Sequence, residues 1–392
     1  MESFDVVIVG GGVMGSAVAY HLLNLGFSGR VVVIEKDPVH TKASTGLSAG
    51  GIRQQFATAV NVNLSRYSVE FYEHFAERLS VDGQCPAINF VQAGYLFLAS
   101  DLNWAELRRR YELQKALGVE VRLLSPADIA AMVPDISLEG IVGGVFGPRD
   151  GFLDPYAVMQ GFEQKARALG AQYLTDEVTA VRKSAKATAQ VTGVATAAHG
   201  DIAAGVVVNA AGAWAGELAK TAGVELPVVP LRRQIYICKP PKPLAYQLPM
   251  VVDPSGVYFR PETGGRILVG KSREDEPAGF NFQWDRQWFF DEVWPELAQR
   301  VPLFETLGLE SGWAGLYDEN PQDHNAIIGE HPDLKGFYLI NGFSGHGMMQ
   351  GPGAGLALAE LILYGEYRTI DVSALSPTRF RTGNLVREDA VI

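Results

Sequence analysis

The chain has 392 residues, enough for two domains, and its 47% apolar and 20% charged residues are those of an ordinary soluble globular protein. A formal charge of −11 argues against a nucleic-acid partner, which needs a basic surface. Two cysteines, Cys85 and Cys238, are too few for a disulfide framework or a zinc site and read as buried small hydrophobes. The N-terminus enters a strand within five residues without a signal-peptide pattern, and no apolar run approaches the ~20 residues of a membrane span. A cytoplasmic protein is the expectation, and a reducing compartment suits the cysteine usage.

In chain order, the apolar run at 5–9 predicts a strand buried on both faces, followed by Gly10-Gly-Gly-Val-Met-Gly15, a helix over 16–25 and a second buried strand at 31–34 ending at Glu35. Helical spacing returns over 64–79, a strand over 90–99 and an amphipathic helix over 104–117. The Gly-, Pro- and Asp-rich stretch 140–155 predicts a loop where the chain crosses between domains. A helix over 156–169 and strands at 176–181 and 206–209 follow. Residues 230–313 lean to strands, at 234–238, 257–260 and 267–269. The tail predicts a strand at 337–340 and a helix over 352–364, with Pro352 in its first turn. The fold class expected is α/β, with a discontinuous Rossmann-like nucleotide domain (1–88, 145–218 and 322–392) carrying a sheet-rich substrate domain (89–144 and 219–321).

Gly10-x-Gly12-x-x-Gly15 lies between strand and helix, with an acid twenty residues after Gly15. Its glycines serve a tight turn, approach of a pyrophosphate and close helix–strand packing, while the helix N-terminus offers free N–H groups to phosphate. Glu35 suits ribose hydroxyls. The motif by itself allows FAD or NAD. No second such motif follows in strand–helix context, so a reductase holding both FAD and NAD(P)H is not expected.

Residues 341–353, NGFSGHGMMQGPG, join a strand to a helix and aim backbone N–H groups at whatever binds there, either a reduced flavin edge or nothing in an ordinary glycine loop. The small residues of Asn209-Ala-Ala-Gly-Ala-Trp214 suit either a nucleotide or plain strand–helix packing.

These segments, with ASTGLSAGGIR at 43–53 and DGFLDP at 150–155, resemble the D-amino-acid-oxidase-like family of FAD-dependent oxidoreductases, which includes sarcosine oxidase, glycine oxidase and dimethylglycine dehydrogenase. The likeness spans essentially the whole chain in the same motif order. It implies extended FAD. Gly10, Gly12, Val13, Met14 and Gly15 take the pyrophosphate, Glu35 and Lys36 the adenosine, and Ser44 and Thr45 the phosphate or ribitol. Ser48, Ala49, Gly50 and Gly51 run along the isoalloxazine. Val178, Ala210 and Gly212 flank the nucleotide, and Gly345, His346, Gly347 and Met348 hold the pyrimidine edge.

Members that bind flavin covalently use a Cys in the segment matching Trp313–Tyr317 or a His near Ser48. Gly315 and Ser48 stand here, which implies non-covalent FAD. Met349 replaces the carboxylate-gripping Lys of monomeric sarcosine oxidase, and Tyr317 the Arg of glycine oxidase. The oxygen-promoting lysine aligns with Leu268 or Val269, two residues or more before Lys271.

For a substrate carboxylate the candidate cations are Arg53, in the flavin loop, Arg260 and Lys271. Arg260 faces either the site or a surface salt bridge. Arg232 and Arg233 read as structural or interdomain contacts. Tyr258 and Tyr317 either touch substrate or pack the core, and His346 suits flavin contact better than acid–base work. The reading is oxidation of a secondary or N-substituted amino acid to an imine, with electrons passed to oxygen, a protein or a quinone. A second reading, from the likeness to a mitochondrial branch of the family tied to respiratory-complex assembly, is a flavoprotein assembly or interaction factor with little turnover. A third is one subunit of a larger amine dehydrogenase.

Overall fold

A computed structural model describes residues 2–185 and 189–390. Its first sheet is built on β1 (Glu2–Val9), which pairs in parallel with β2 (Val31–Glu35) on one side and with strand Gly200–Asn209 on the other. Strands Gln172–Thr175 and Phe337–Asn341 extend it in parallel, and Ile327–Glu330 closes one edge antiparallel. Successive strand residues point to opposite faces. Val6 and Ile8 therefore enter a core shared with helices α1 (Val13–Asn24), Ala59–Glu73, Pro155–Ala168 and Gly347–Tyr364. Val7 and Val9 enter a second core under helix Ala215–Thr221 and the strands Val178–Lys183 and Val191–Thr196.

The second sheet has eight strands, from Gly308–Glu319 at one edge to Arg122–Leu124 at the other. At the first of these edges the longest pair sets Val229–Lys239 antiparallel to Gly308–Glu319, with Arg233 opposite Gly315 and Leu231 opposite Tyr317. The helical stretch 286–300 covers one face through Phe289, Val293 and Leu297.

Three sequence readings change. The loop expected over 140–155 holds strand Gly143–Gly147, paired with Tyr95–Ala99 in the second sheet, and the short strand Gly151–Phe152. The domain boundary placed at 145 thus falls inside a strand of the second sheet. Its glycines mark close approach rather than a turn, since a Cβ on Gly144 would stand 2.8 Å from the Phe97 carbonyl oxygen. Cys238 is buried, but Cys85 is exposed. The C-terminal helix begins at Gly347, so Pro352 lies inside it and not in its first turn. Small residues let this helix press against α1: a Cβ on Gly351 would meet the Val13 side chain at 3.1 Å, and one on Gly355 would meet Ala17 at 2.7 Å.

Candidate active site

The ends of β1 and α1 open onto a cavity of ≈ 1160 Å³. That exceeds the roughly 300–1,000 Å³ of ordinary small-molecule sites, as a dinucleotide requires. Of the residues expected to hold cofactor, Gly10, Gly12, Val13, Met14, Glu35, Lys36, Ser44, Thr45 and Ser48 line it. So do Val178, Ala210, Gly212, Gly345, Gly347 and Met348. Gly15 does not face the cavity. It lets α1 close on the strand, for a Cβ there would lie 1.9 Å from the Gly10 carbonyl oxygen.

The cradle is held from several sides. Glu35 accepts hydrogen bonds from the Gly11 N–H at 2.7 Å and the Asp37 N–H at 2.8 Å, which fixes the carboxylate at the end of β2. Gly12, at the N-cap of α1, supplies no capping side chain, and the Val13 N–H reaches Thr45 Oγ1 at 3.2 Å. The helix therefore presents its positive end to the cavity.

The loop 43–51 passes from this cavity to a smaller chamber between the two sheets. It is gripped by the second sheet: Trp313 Nε1 donates to the Leu47 carbonyl at 2.9 Å, and Arg260 Nε to the Ala49 carbonyl at 2.9 Å. Gly51–Ile52 pairs antiparallel with Gly151–Phe152.

Ala49, Gly50, Gly51, Arg53, Tyr258, Tyr317 and His346 line this smaller chamber. Six residues, Ser44, Ser48, Leu316, Tyr317, Gly345 and Met348, line both spaces, so the two are continuous. The Gly345 backbone lies against Tyr317, where a Cβ would sit 2.5 Å from the ring. Arg53 is buried, stacked 4.0 Å from the Phe56 ring centroid, and donates to the carbonyls of Gln55 and Ala390. His346 is buried edge-on to Phe56, and neither ring nitrogen has a protein partner. Burial, with the Arg53 charge, holds its pKa well below the ordinary histidine value, so the ring is neutral at pH 7. Burial raises the hydroxyl pKa values of Tyr258 and Tyr317, keeping both protonated.

Arg260 and Lys271, expected as substrate cations, do not line the chamber. Arg260 pairs with Glu262 at 2.9 Å while holding Ala49, and Lys271 pairs with Glu296 at 2.8 Å. Arg233 and Tyr95 do line it and were not expected there. Strand alternation turns Arg233 to the opposite face from its neighbour Arg232, which is largely buried in an ion pair with Glu276 at 2.8 Å. Trp214, Phe280 and Phe282, also unforeseen, line the larger cavity.

The donor set fits a flavin dinucleotide. The glycine cradle and the α1 N-terminus suit a pyrophosphate, and Glu35 and Lys36 stand at the adenosine end. The turn from Gly345 into helix Gly347–Tyr364 offers backbone N–H groups where the two spaces meet.

The family model described as "FAD dependent oxidoreductase" (DAO) matches residues 5–361. The chain is 38% identical to the "FAD-dependent oxidoreductase domain-containing protein 1" of Bos taurus, over 100% of this chain and 87% of that one. It is 32% identical to the mitochondrial sarcosine dehydrogenase of Homo sapiens, over 92% of this chain and 40% of that longer protein. Among solved structures, the L-proline dehydrogenase of P. horikoshii superposes with a TM-score of 0.88 at 32% identity, covering 98% of this chain and 100% of that one.

Proposed function

The chain belongs to the DAO family of FAD-dependent oxidoreductases, and from that premise we propose that it oxidises a secondary or N-substituted amino acid to an imine. The observation that carries this reading is the smaller chamber. Two arginines, Arg53 and Arg233, line it together with a neutral histidine and three tyrosines, and among the described residues no Asp or Glu lines it. Such a lining suits a carboxylate and leaves an amine without a strong partner to hold its proton. Sarcosine and proline, named in the two similar dehydrogenases, are both secondary amino acids.

Bound FAD would supply a two-electron acceptor for hydride from a carbon attached to the nitrogen, whose lone pair completes the C=N bond. The chain's own groups bind and orient. The arginines neutralise the carboxylate, Tyr258 and Tyr317 offer hydroxyls, and the buried lining removes water that would keep the amine protonated. Arg260 is a positioning residue, holding the Ala49 carbonyl and with it the loop that forms the flavin wall. Water then hydrolyses the imine, and the electrons leave to oxygen or to a protein or quinone acceptor. FAD is held without a covalent bond in this reading, as Ser48 and Gly315 imply.

Anaerobic mixing with sarcosine, proline, pipecolate and longer N-alkyl amino acids tests the proposal. Bleaching of the flavin absorbance by at least one of them is expected, and readmitted oxygen then reports the acceptor. A flavin that stays oxidised with the whole panel would overturn amine oxidation.

A further inference from the structure

We infer that Arg233 is the residue that grips the substrate carboxylate, and that the rest of the ligand is uncharged and apolar; this rests on the amino-acid reading above. The cations near the chamber differ in what already holds them. Arg260 and Lys271 are committed to Glu262 and Glu296. Arg53 donates through both terminal nitrogens to the Gln55 and Ala390 carbonyls, and the buried carboxylates of Glu388 and Asp150 act on its charge.

Arg233 stands apart. Its recorded hydrogen bond runs from Nη1 to the adjacent Arg232 carbonyl at 3.2 Å, and no ion pair engages it among the described residues. Its Nε is buried without a partner, as is that of Arg53, but in Arg53 both terminal nitrogens already donate to carbonyls. The guanidinium lies 5.0 Å from the Tyr317 ring centroid, and Tyr317 borders both the chamber and the dinucleotide cavity. A partly buried guanidinium with an unfilled donor beside the cofactor space is a site for a planar anion. Strand pairing sets it there, opposite Gly315, which also lines the chamber.

Besides Arg53, held by two carbonyls, and the neutral His346, the large side chains of the lining are aromatic or apolar, among them Tyr95, Ile235, Met250, Tyr258 and Met349. A second charged arm on the substrate would meet no free partner among them and would lose its hydration. The class selected is a monocarboxylate amino acid whose nitrogen substituent or side chain is apolar.

The test uses the FAD-loaded full chain and two readouts. The first is the flavin absorbance change on binding (methylthio)acetate, an inert carboxylate, against its neutral amide. Wild type prefers the acid, and Arg233→Gln weakens acid binding by about tenfold or more while shifting the amide little. Arg233→Lys, which keeps the charge, recovers part of the preference. The second is anaerobic flavin reduction by N-alkylglycines against N-carboxymethylglycine, where the N-alkyl compounds reduce faster. Unchanged acid preference in Arg233→Gln, or equal loss for acid and amide, overturns the assignment. Faster reduction by N-carboxymethylglycine overturns the apolar class. Either result leaves amine oxidation standing, because flavin bleaching by an amino acid reports that reading separately. Total silence of the amine panel removes both.

Discussion

The Tyr72 hydroxyl donates to the Met348 carbonyl at 2.6 Å, filling the place of the N–H that Pro352 lacks four residues further along the same helix. A proline inside a helix ordinarily strands that carbonyl and kinks or breaks the helix. Here helix Ala59–Glu73 supplies the missing donor, and Ser68 Oγ accepts from the next N–H, that of Gly353, at 3.2 Å. The first turn of the C-terminal helix, which borders the cofactor cavity at Gly347 and Met348, is thereby fixed by a neighbour.

Tyr72→Phe removes this donor and leaves a buried carbonyl unpaired, so it is expected to lower stability by roughly 1–3 kcal/mol. Chemical denaturation of the FAD-loaded protein measures the loss. A variant as stable as wild type would show that the carbonyl has another partner.

Trp214 and Phe280 stack with ring centroids 5.2 Å apart, Phe282 lies 6.4 Å from Trp214, and all three border the dinucleotide cavity. Lys36 lies 4.5 Å from the Trp214 ring centroid. The aromatic group joins the nucleotide unit to a loop of the second unit, so it resists opening of the cavity. With aromatic pairs contributing roughly 0.5–1.5 kcal/mol each, loss of both in the double variant Phe280→Ala/Phe282→Ala should release FAD roughly fivefold to a hundredfold faster. Recovery of free-flavin fluorescence after dilution gives the rate.

Glu388 is buried and caps helix Ala59–Glu73 from the C-terminal tail, accepting from the N–H groups of Ala57 at 2.9 Å and Thr58 at 3.2 Å and from the Asn61 side chain at 2.9 Å. Two residues on, the Ala390 carbonyl accepts from Arg53. Glu388→Ala removes a charged acceptor at a helix N-terminus and should cost roughly 1.5–3 kcal/mol. The same variant loosens the tail that fixes Arg53 in the chamber wall, and the loss of that fixed wall should weaken (methylthio)acetate binding. Loss of stability with unaltered ligand affinity would separate the tail from the site.

Burial lowers the pKa of His21 to about 3, so the native protein keeps this ring neutral while the unfolded chain protonates it near 6.5. Between these values the unfolded state binds more protons, so the contribution is full above pH 6.5 and falls by about 1.4 kcal/mol per pH unit as the pH drops toward 3. Asp150, which burial raises to about 6, acts with the opposite sign between its unfolded value and 6. The stability difference between wild type and His21→Asn, followed from pH 7 to pH 4, cancels that background and should shift steadily against wild type as the pH falls. A pH-independent difference would contradict a neutral buried His21.

Much of the cofactor site was legible because its signals are local. Strand, glycine turn, helix and acid follow one another within Asp5–Glu35, and the cavity borders that segment as the motif implied. The substrate side was less legible because its groups come from strands far apart in the chain. Arg260 read as a substrate cation or a surface salt bridge and Arg233 as a structural or interdomain contact, yet Arg260 is spent on Glu262 and the Ala49 carbonyl while Arg233 faces the chamber. Gly144 and Pro352 misled because each usually marks a turn or a helix start. Here one permits a strand to approach its neighbour and the other is repaired by Tyr72.

By itself, the sequence determined that this chain binds a dinucleotide on a βαβ unit, since the spacing Gly10, Gly12, Gly15 and Glu35 encodes turn, approach and charge within one stretch of backbone. It also carried, through the order of its motifs, the family to which the chain belongs. The tertiary structure alone decided which cations remain free. Whether an arginine is available depends on which carboxylates and carbonyls the packed sheets bring beside it. Glu262 meets Arg260 from the same strand, Ala390 reaches Arg53 from the far end of the chain, and Arg233 meets no carboxylate among the described residues.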